Sequence, residues 1–423
     1  MEPIFSSPSL SLLSKVAVHV ETLRPEDPDG TDVPPVVSCP TWEAVRVPLT
    51  DQLSHIAPLE SGSNRPLDFT FSHQIHSLIY FHIEEYSSAR GLLEDLNDQK
   101  HPPLVGLSQE RVGKSTFFDA IHTRGLPQML EVFERLSRKV ARVLGTKYEA
   151  LGELRALDGS LIDATLSMEW ADYTKTTNKA RIHLCFDLNR GIPRKLELTD
   201  GKGAERPFVS PLLEPGQTGV MDRGYQDHTR FDTWQEEDKF FACRIRGNTQ
   251  KVIVRELPIP SNSNIIFHAQ VYLGDPQHRT RYTYRLIGVR VGRKVLWIVT
   301  NRTDLTAFQI AFIYRLRWEI EKFFAWWKRH LNVYHLIARS PHGLMMQLLA
   351  GLITYLLLVI YFYRCYDQRP SLSRLRQLRR DIRTERVLAS LTINALYIRM
   401  VVLFFTTEQR GRCERQAVII AIF

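Results

Sequence analysis

Residues 344–363, LMMQLLAGLITYLLLVIYFY, constrain the fold more than any other stretch. Twenty largely apolar residues must be hidden from water, inside either a protein core or a bilayer. Gln347, Thr354 and three tyrosines interrupt the run. A single span after a basic soluble portion would be unusual, so a fully buried core helix is expected and a membrane helix is not. A helix that is apolar on every side needs protein on every side.

A chain of 423 residues can supply such a core and still form two or three domains. Its formal charge is +9 with a pI near 9.3, and the basic residues are spread along the whole sequence. That balance favours a polyanionic partner, nucleic acid before a membrane surface. Cys39, Cys185, Cys243, Cys365 and Cys413 lie far apart and form no CxxC pair, which excludes a zinc site and a disulfide framework. The spacing fits a reducing compartment. MEPIFSSPSLSLLSKVAV has an acid where an export signal needs positive charge, and serines break its apolar run, so a cytoplasmic protein is expected.

Composition and periodicity divide the chain. Residues 1–65 are rich in Pro, Ser and Asp and are expected to be an irregular lead-in. Residues 66–147 have helical spacing, with a proline in the first turn of PQMLEVFERLSRKVARVL. Within them, Gly113-Lys114-Ser115-Thr116 imitates the end of a phosphate-binding loop. The glycine that such a loop needs five residues earlier is Ser108, and no aliphatic strand leads in, so no nucleotide is expected. A helix-turn-helix that presents Lys114 to DNA is the better reading, with Ser108 or Ser115 as a cap.

From 148 the texture turns to strands: LRALD, ARIHLCFDL, PRKLELTDG and TGVMD are short β-prone runs bounded by turn residues. Helices are expected at AERPFVSPLL and QDHTRFDTWQEED. Residues 239–302 are rich in strand formers with cations at alternate positions, and two helices follow within 303–365. The whole reads as an α/β domain (148–238 and 303–365) interrupted by a β-rich insertion at 239–302. A basic tail, 366–423, contains the amphipathic SLSRLRQLRRDIRTERVL, suited to DNA or a second subunit.

Three carboxylates stand out. Asp158 closes LRALD and Asp222 closes TGVMD, each at the carboxyl end of an apolar strand, where α/β sheets hold ligands. The third lies in YRLRWEIEKFFAWWKRHL, residues 314–331. On one continuous helix Tyr314, Arg317, Glu321 and Lys328 share a stripe of roughly 60°, while Glu319 points elsewhere. Three acids brought together repel one another unless a divalent cation neutralises them. Oxygen ligands without His or Cys select Mg2+ or Mn2+, and a pair of such ions suits in-line phosphoryl displacement. Tyr314, Arg317 and Lys328 would then grip the phosphates of double-stranded DNA.

The spacing Tyr314, two residues, Arg317, three residues, Glu321, six residues, Lys328 resembles the Y-(2)-R-(3)-E-(6)-K signature of DDE transposases in bacterial insertion sequences, and more narrowly the insertion-sequence-four group. DGSLIDAT and VMDRGYQD resemble its first and second aspartate blocks, in order, and the resemblance runs from about 66 to 365. It implies an RNase H-like catalytic domain behind a helical DNA-binding domain. Asp158, Asp222 and Glu321 would be the metal-binding catalytic triad, and Tyr314, Arg317 and Lys328 would contact DNA. Trp318 would be the candidate to stack on a flipped base in relatives that cut through a hairpin. The implied activity is cleavage at terminal inverted repeats and joining of 3′ hydroxyls to target DNA, by a homodimer on the bacterial nucleoid. Two other readings are a catalytically silent DNA-binding relic and a membrane-anchored basic protein.

Overall fold

Alternation along the short apolar runs builds one nine-stranded sheet with a helical layer on one face and a smaller apolar cluster on the other. The computed structural model describes residues 42–60, 67–98 and 111–385, apart from 166, 175, 260, 262 and 332. The strands are β1 (Leu154–Ala164), β2 (Asn178–Asp187), β3 (Ile192–Asp200), β4 (Thr218–Met221), β5 (Phe240–Ile245), β6 (Lys251–Glu256), β7 (Ile265–Leu273), β8 (Tyr284–Val291) and β9 (Lys294–Thr300). Their order is β3-β2-β1-β4-β5-β9-β8-β7-β6. Only β1, β4 and β5 run parallel; the other pairings are antiparallel.

The helices are α1 (Trp42–Leu53), α2 (Phe71–Glu84), α3 (Ala89–Leu96), α4 (Lys114–Thr123), α5 (Leu126–Val143), the four-residue α6 (Val209–Leu212), α7 (His228–Glu236), α8 (Ala307–Leu316), α9 (Trp318–His330) and α10 (Pro341–Tyr366). Residues 372–385 form a further helix, α11. The 344–363 run lies within α10, which packs against α1, α2, α4, α5 and β3. Its buried polar groups Gln347, Thr354 and Tyr355 find partners. Gln347 donates to the His335 carbonyl at 2.8 Å and accepts from the Ile337 amide at 3.0 Å. Thr354 bonds the Ala350 carbonyl, and the Tyr355 hydroxyl bonds Gly191 at 2.7 Å. His82, fully buried on α2, bridges the carbonyls of Leu331 and Gln347 and so ties three segments together. Burial pushes its imidazole down to about 4, so the neutral ring donates to one of these carbonyls and only lies against the other.

Several expectations need correction. Residues 42–53, inside the supposed irregular lead-in, form α1 and bury Trp42, Val45 and Leu49 at helical spacing. Residues 1–41 lie outside the described part. The helices of 66–147 make no separate core, because α2, α4 and α5 share one apolar cluster with α10 and the sheet. AERPFVSPLL gives only a short turn at Arg206–Phe208 and α6, because Pro207 and Pro211 limit helical hydrogen bonding. Strand β5, placed in the insertion by its composition, pairs with β4 in the parallel centre, and β6–β9 extend that same sheet. In the basic tail, α11 buries Leu375, Leu378 and Ile382, and its Arg379 and Arg383 pair with Glu85. That apolar face is already covered; residues 386–423 lie outside the described part.

The amino-terminal ends of β1 and β4 are clamped. Arg302 donates to the Leu151 carbonyl at 3.2 Å and to the Thr218 hydroxyl at 2.6 Å, and Asn189 Oδ1 accepts from the Leu154 amide. The carboxyl ends are where the sheet opens. The all-round packing of α10 generates a prediction. Leu352→Ala, at a fully buried position, should cost about 2–5 kcal/mol in urea unfolding. A loss below about 1 kcal/mol would contradict a core position for this helix.

Candidate active site

Parallel pairing of β1 with β4 ends at Leu157 opposite Met221. The next residues along the chain are Asp158 and Asp222, so the first two acids stand side by side where strands about 4.8 Å apart stop pairing. Asp222 turns out of β4 into the short turn Arg223–Tyr225, which is closed by the Tyr225 amide on the Asp222 carbonyl at 3.0 Å. Asp158 does not close its strand as expected. It sits within β1, which continues to Ala164 against β2 alone. The strand end inferred from LRALD is really the end of the β1–β4 pairing.

The third acid comes from a helix that the sequence reads as continuous. It is broken at Arg317, where the Arg317 amide bonds the Tyr314 carbonyl at 3.1 Å and the Ile320 amide bonds the Arg317 carbonyl at 3.2 Å. These three-residue steps tighten the chain, and α8 ends where α9 begins. Neither Pro nor Gly marks the break, so periodicity does not show it. Tyr314 therefore belongs to α8, while Glu321 and Lys328 belong to α9.

Arg317 organises the acids. Its guanidinium donates to Glu321 Oε1 at 2.5 Å and lies 5.8 Å from the centre of the Tyr314 ring. Burial pushes the Asp158 carboxyl up to about 7, opposed by Arg317 and reinforced by Glu205 and Glu321. Arg244, on β5, sits 3.6 Å from Asp222 Oδ1. That oxygen is buried and has no hydrogen-bond partner, and Asp158 accepts from the Gly159 amide at 3.0 Å. Among the described residues no three His, Cys, Asp or Glu side chains already stand in ion-binding geometry. The unsatisfied oxygen and the all-carboxylate donor set nonetheless fit a hard divalent cation, which Asp158, Asp222 and Glu321 would hold.

The other expected site residues separate. Tyr314 is buried against Arg317, and burial raises its phenol. Trp318 is 59% exposed and borders an apolar cleft of about 510 Å³ together with Arg244, Phe308, Phe312 and Arg317. Lys328 is only 8% exposed and donates to the Leu161 carbonyl of β1 at 2.5 Å. As placed, it fastens α9 to the strand that carries Asp158, and burial pushes its amine down to about 8. Lys114 stands exposed at the start of α4 within the helical layer, capped by Gly113 and by no serine side chain. Glu319 faces away and pairs with Lys322, and Asp163 is exposed and pairs with Lys179. Glu205, Arg181 and Arg244 had not been singled out in the sequence. Glu205 sits in KGAERPF, where neither periodicity nor a motif marks it; the alternate cations of 239–302 were the one available signal for Arg244.

Residues 149–357 match the family model described as Transposase DDE domain. A relative named as a transposase in Sinorhizobium fredii is 27% identical over 59% of this chain and 71% of its own length. The transposase of insertion sequence element IS5377 from Geobacillus stearothermophilus is 29% identical over 48% of this chain and 55% of its own. That of element IS4SA from Synechocystis is 25% identical over 60% and 73%. A solved piggyBac transposase synaptic complex with hairpin DNA aligns at 10% identity over 83% of this chain and 79% of that one, with a TM-score of 0.40. That value is below the level at which a shared fold follows.

The raised Asp158 carboxyl has a consequence for stability. A carboxyl held above its unfolded value stabilises the fold at low pH and loses that contribution as pH rises through the folded value, here from about 4 to 7. Without divalent ions, Asp158→Asn should therefore unfold later than wild type at pH 8, by on the order of 2–4 kcal/mol, and alike at pH 4. Equal stability at both pH values would contradict the burial argument.

Proposed function

This chain carries the DDE domain of insertion-sequence transposases, and from that premise we propose that it binds the terminal inverted repeats of its element, cleaves them and joins the 3′ hydroxyls to target DNA. The observation that carries the reading is the adjacency of Asp158 and Asp222 at the end of the β1–β4 pairing, with Arg317 bonded to Glu321 and acting on Asp158. An order of three antiparallel strands followed by two parallel ones supports an RNase H-like core, and the name IS4SA on one relative fits the insertion-sequence-four group.

Asp158, Asp222 and Glu321 would hold two Mg2+ or Mn2+ ions. Bound there, the ions would supply an activated oxygen nucleophile and neutralise the leaving oxygen. The protein's own part is orientation. Arg317, over the Tyr314 ring, and Arg244, beside Asp222, would each hold a phosphate beside the scissile bond. Trp318, exposed at the rim of the apolar cleft, offers a stacking face for an unpaired base. Lys114, on the exposed start of α4, would contact the DNA backbone away from the chemistry. Lys328 would need to leave Leu161 to reach a phosphate, and serves meanwhile to position β1. A homodimer holding both ends is part of the same proposal.

Cleavage of end DNA in Mg2+ and in Mn2+, with end binding as the folding control, tests the assignment. Asp158→Asn and Glu321→Gln should bind ends and fail to cut in either ion, while Asp163→Asn and Glu319→Gln should cut normally. Active Asp158→Asn and Glu321→Gln proteins would contradict it. Lys114→Ala should weaken end binding and reduce the slope of log affinity against log salt by about one, with no response to ATP. Saturable ATP binding abolished by this substitution would overturn the DNA-contact reading.

A further inference from the structure

Beside the two aspartate segments lies a half-buried contact that the reaction as described does not use. Glu205 precedes the turn Arg206–Phe208, and its Oε1 accepts from Arg181 Nη1 at 2.5 Å; both side chains are 21% exposed. Arg181 projects from β2, opposite Leu161 of β1, and its other terminal nitrogen holds the Gly201 carbonyl at 3.1 Å. The carboxylate of Glu205 then occupies space that two glycines leave open. A Cβ built on Gly159 would lie 2.6 Å from Glu205 Oε1, and one built on Gly224 would lie 2.8 Å from Glu205 Oε2. Neither glycine has a left-handed backbone, so what each offers here is space for the Glu205 carboxylate and not conformational freedom.

Gly159 follows Asp158 in β1, and Gly224 stands two residues beyond Asp222. One carboxylate thus touches both segments that carry the first two acids, just where their pairing ends. Successive strand residues point to opposite faces, so Glu205 meets β1 on the face away from the Asp158 side chain. It supports that strand from behind.

Building on the proposed metal-dependent cleavage, we propose that Glu205, pinned by Arg181, is a positioning residue that sets the spacing and orientation of Asp158 and Asp222 through the gap left by Gly159 and Gly224. The ion pair is mostly shielded from water, so its geometry is held firmly, and an ion site tolerates little displacement of its ligands. Removing the Glu205 charge frees the wedge. Adding a methyl at Gly159 pushes it out while leaving every charge in place.

The test uses the full chain as wild type, Glu205→Gln, Gly159→Ala, the double variant and Asp158→Asn. Mn2+ binding is read by electron paramagnetic resonance without DNA, alongside thermal unfolding, end-DNA binding and cleavage. Glu205→Gln and Gly159→Ala should each weaken Mn2+ binding about tenfold and slow cleavage while end-DNA affinity is unchanged. The double variant should be no worse than the weaker single, because both act on one contact. Wild-type Mn2+ affinity in Glu205→Gln overturns the inference, and so do single effects that multiply in the double variant. If Glu205→Gln does not fold at the assay temperature, Gly159→Ala decides on the same Mn2+ criterion. With wild type binding Mn2+ and cutting, and Asp158→Asn doing neither, a normal Glu205→Gln removes this inference alone. A wild type that neither binds Mn2+ nor cuts removes the parent reading together with it.

Discussion

The end of the parallel pairing between β1 and β4 governs the rest of the structure. At Leu157 and Met221 the two strands stop exchanging hydrogen bonds, and the next residue on each is an aspartate. Upstream, Arg302 and Asn189 fix the strand starts through the Leu151 carbonyl, the Thr218 hydroxyl and the Leu154 amide. The acids are therefore presented from a stiff base, at the point where β1 and β4 part. β1 goes on against β2 and carries Leu161, whose carbonyl receives Lys328 from α9. That contact fastens the last turn of α9 to the strand.

Placing three acids together is unfavourable without compensation, and the protein supplies two arginines. Arg317 takes up Glu321 and lies within electrostatic reach of Asp158; Arg244 approaches Asp222. The compensation is incomplete: Asp158 stays above the usual carboxylate range, and one oxygen of Asp222 is buried without a hydrogen bond. The residual cost is what a divalent cation would relieve. The break between α8 and α9 has a matching effect, since it leaves Arg317 at a junction from which its guanidinium meets both Tyr314 and Glu321.

Much of this was legible in the sequence, and the failures have physical causes. The apolar run became α10, buried on all sides, because few alternatives can hide such a surface. Asp158 and Asp222 do come side by side where β1 and β4 part, and Arg317 links Glu321 to Asp158. The strand runs were found while their lengths were not: LRALD extends through Gly159 and Ser160 to Ala164 because pairing with β2 overrides weak local propensity. The helix break at Arg317 has no residue signature. Lys328 shares its stripe with Glu321 as periodicity requires, yet periodicity cannot say that β1 covers that part of the stripe. Glu205 was invisible because its role comes from two glycines distant in sequence. Domain borders failed for a related reason, since α1, α2, α4 and α5 complete the burial of α10 instead of closing on a core of their own.

The central claim is that β1, β4 and α9 converge on one divalent-ion site. Replacing the ion with Fe2+ and generating hydroxyl radicals locally, with ascorbate and peroxide, would cut the backbone close to the ion. The account predicts fragments ending near residues 158, 222 and 321, suppressed together by excess Mg2+ and absent in Asp222→Asn. Cuts confined to one of these segments, or clustered elsewhere in the chain and indifferent to Mg2+, would contradict it.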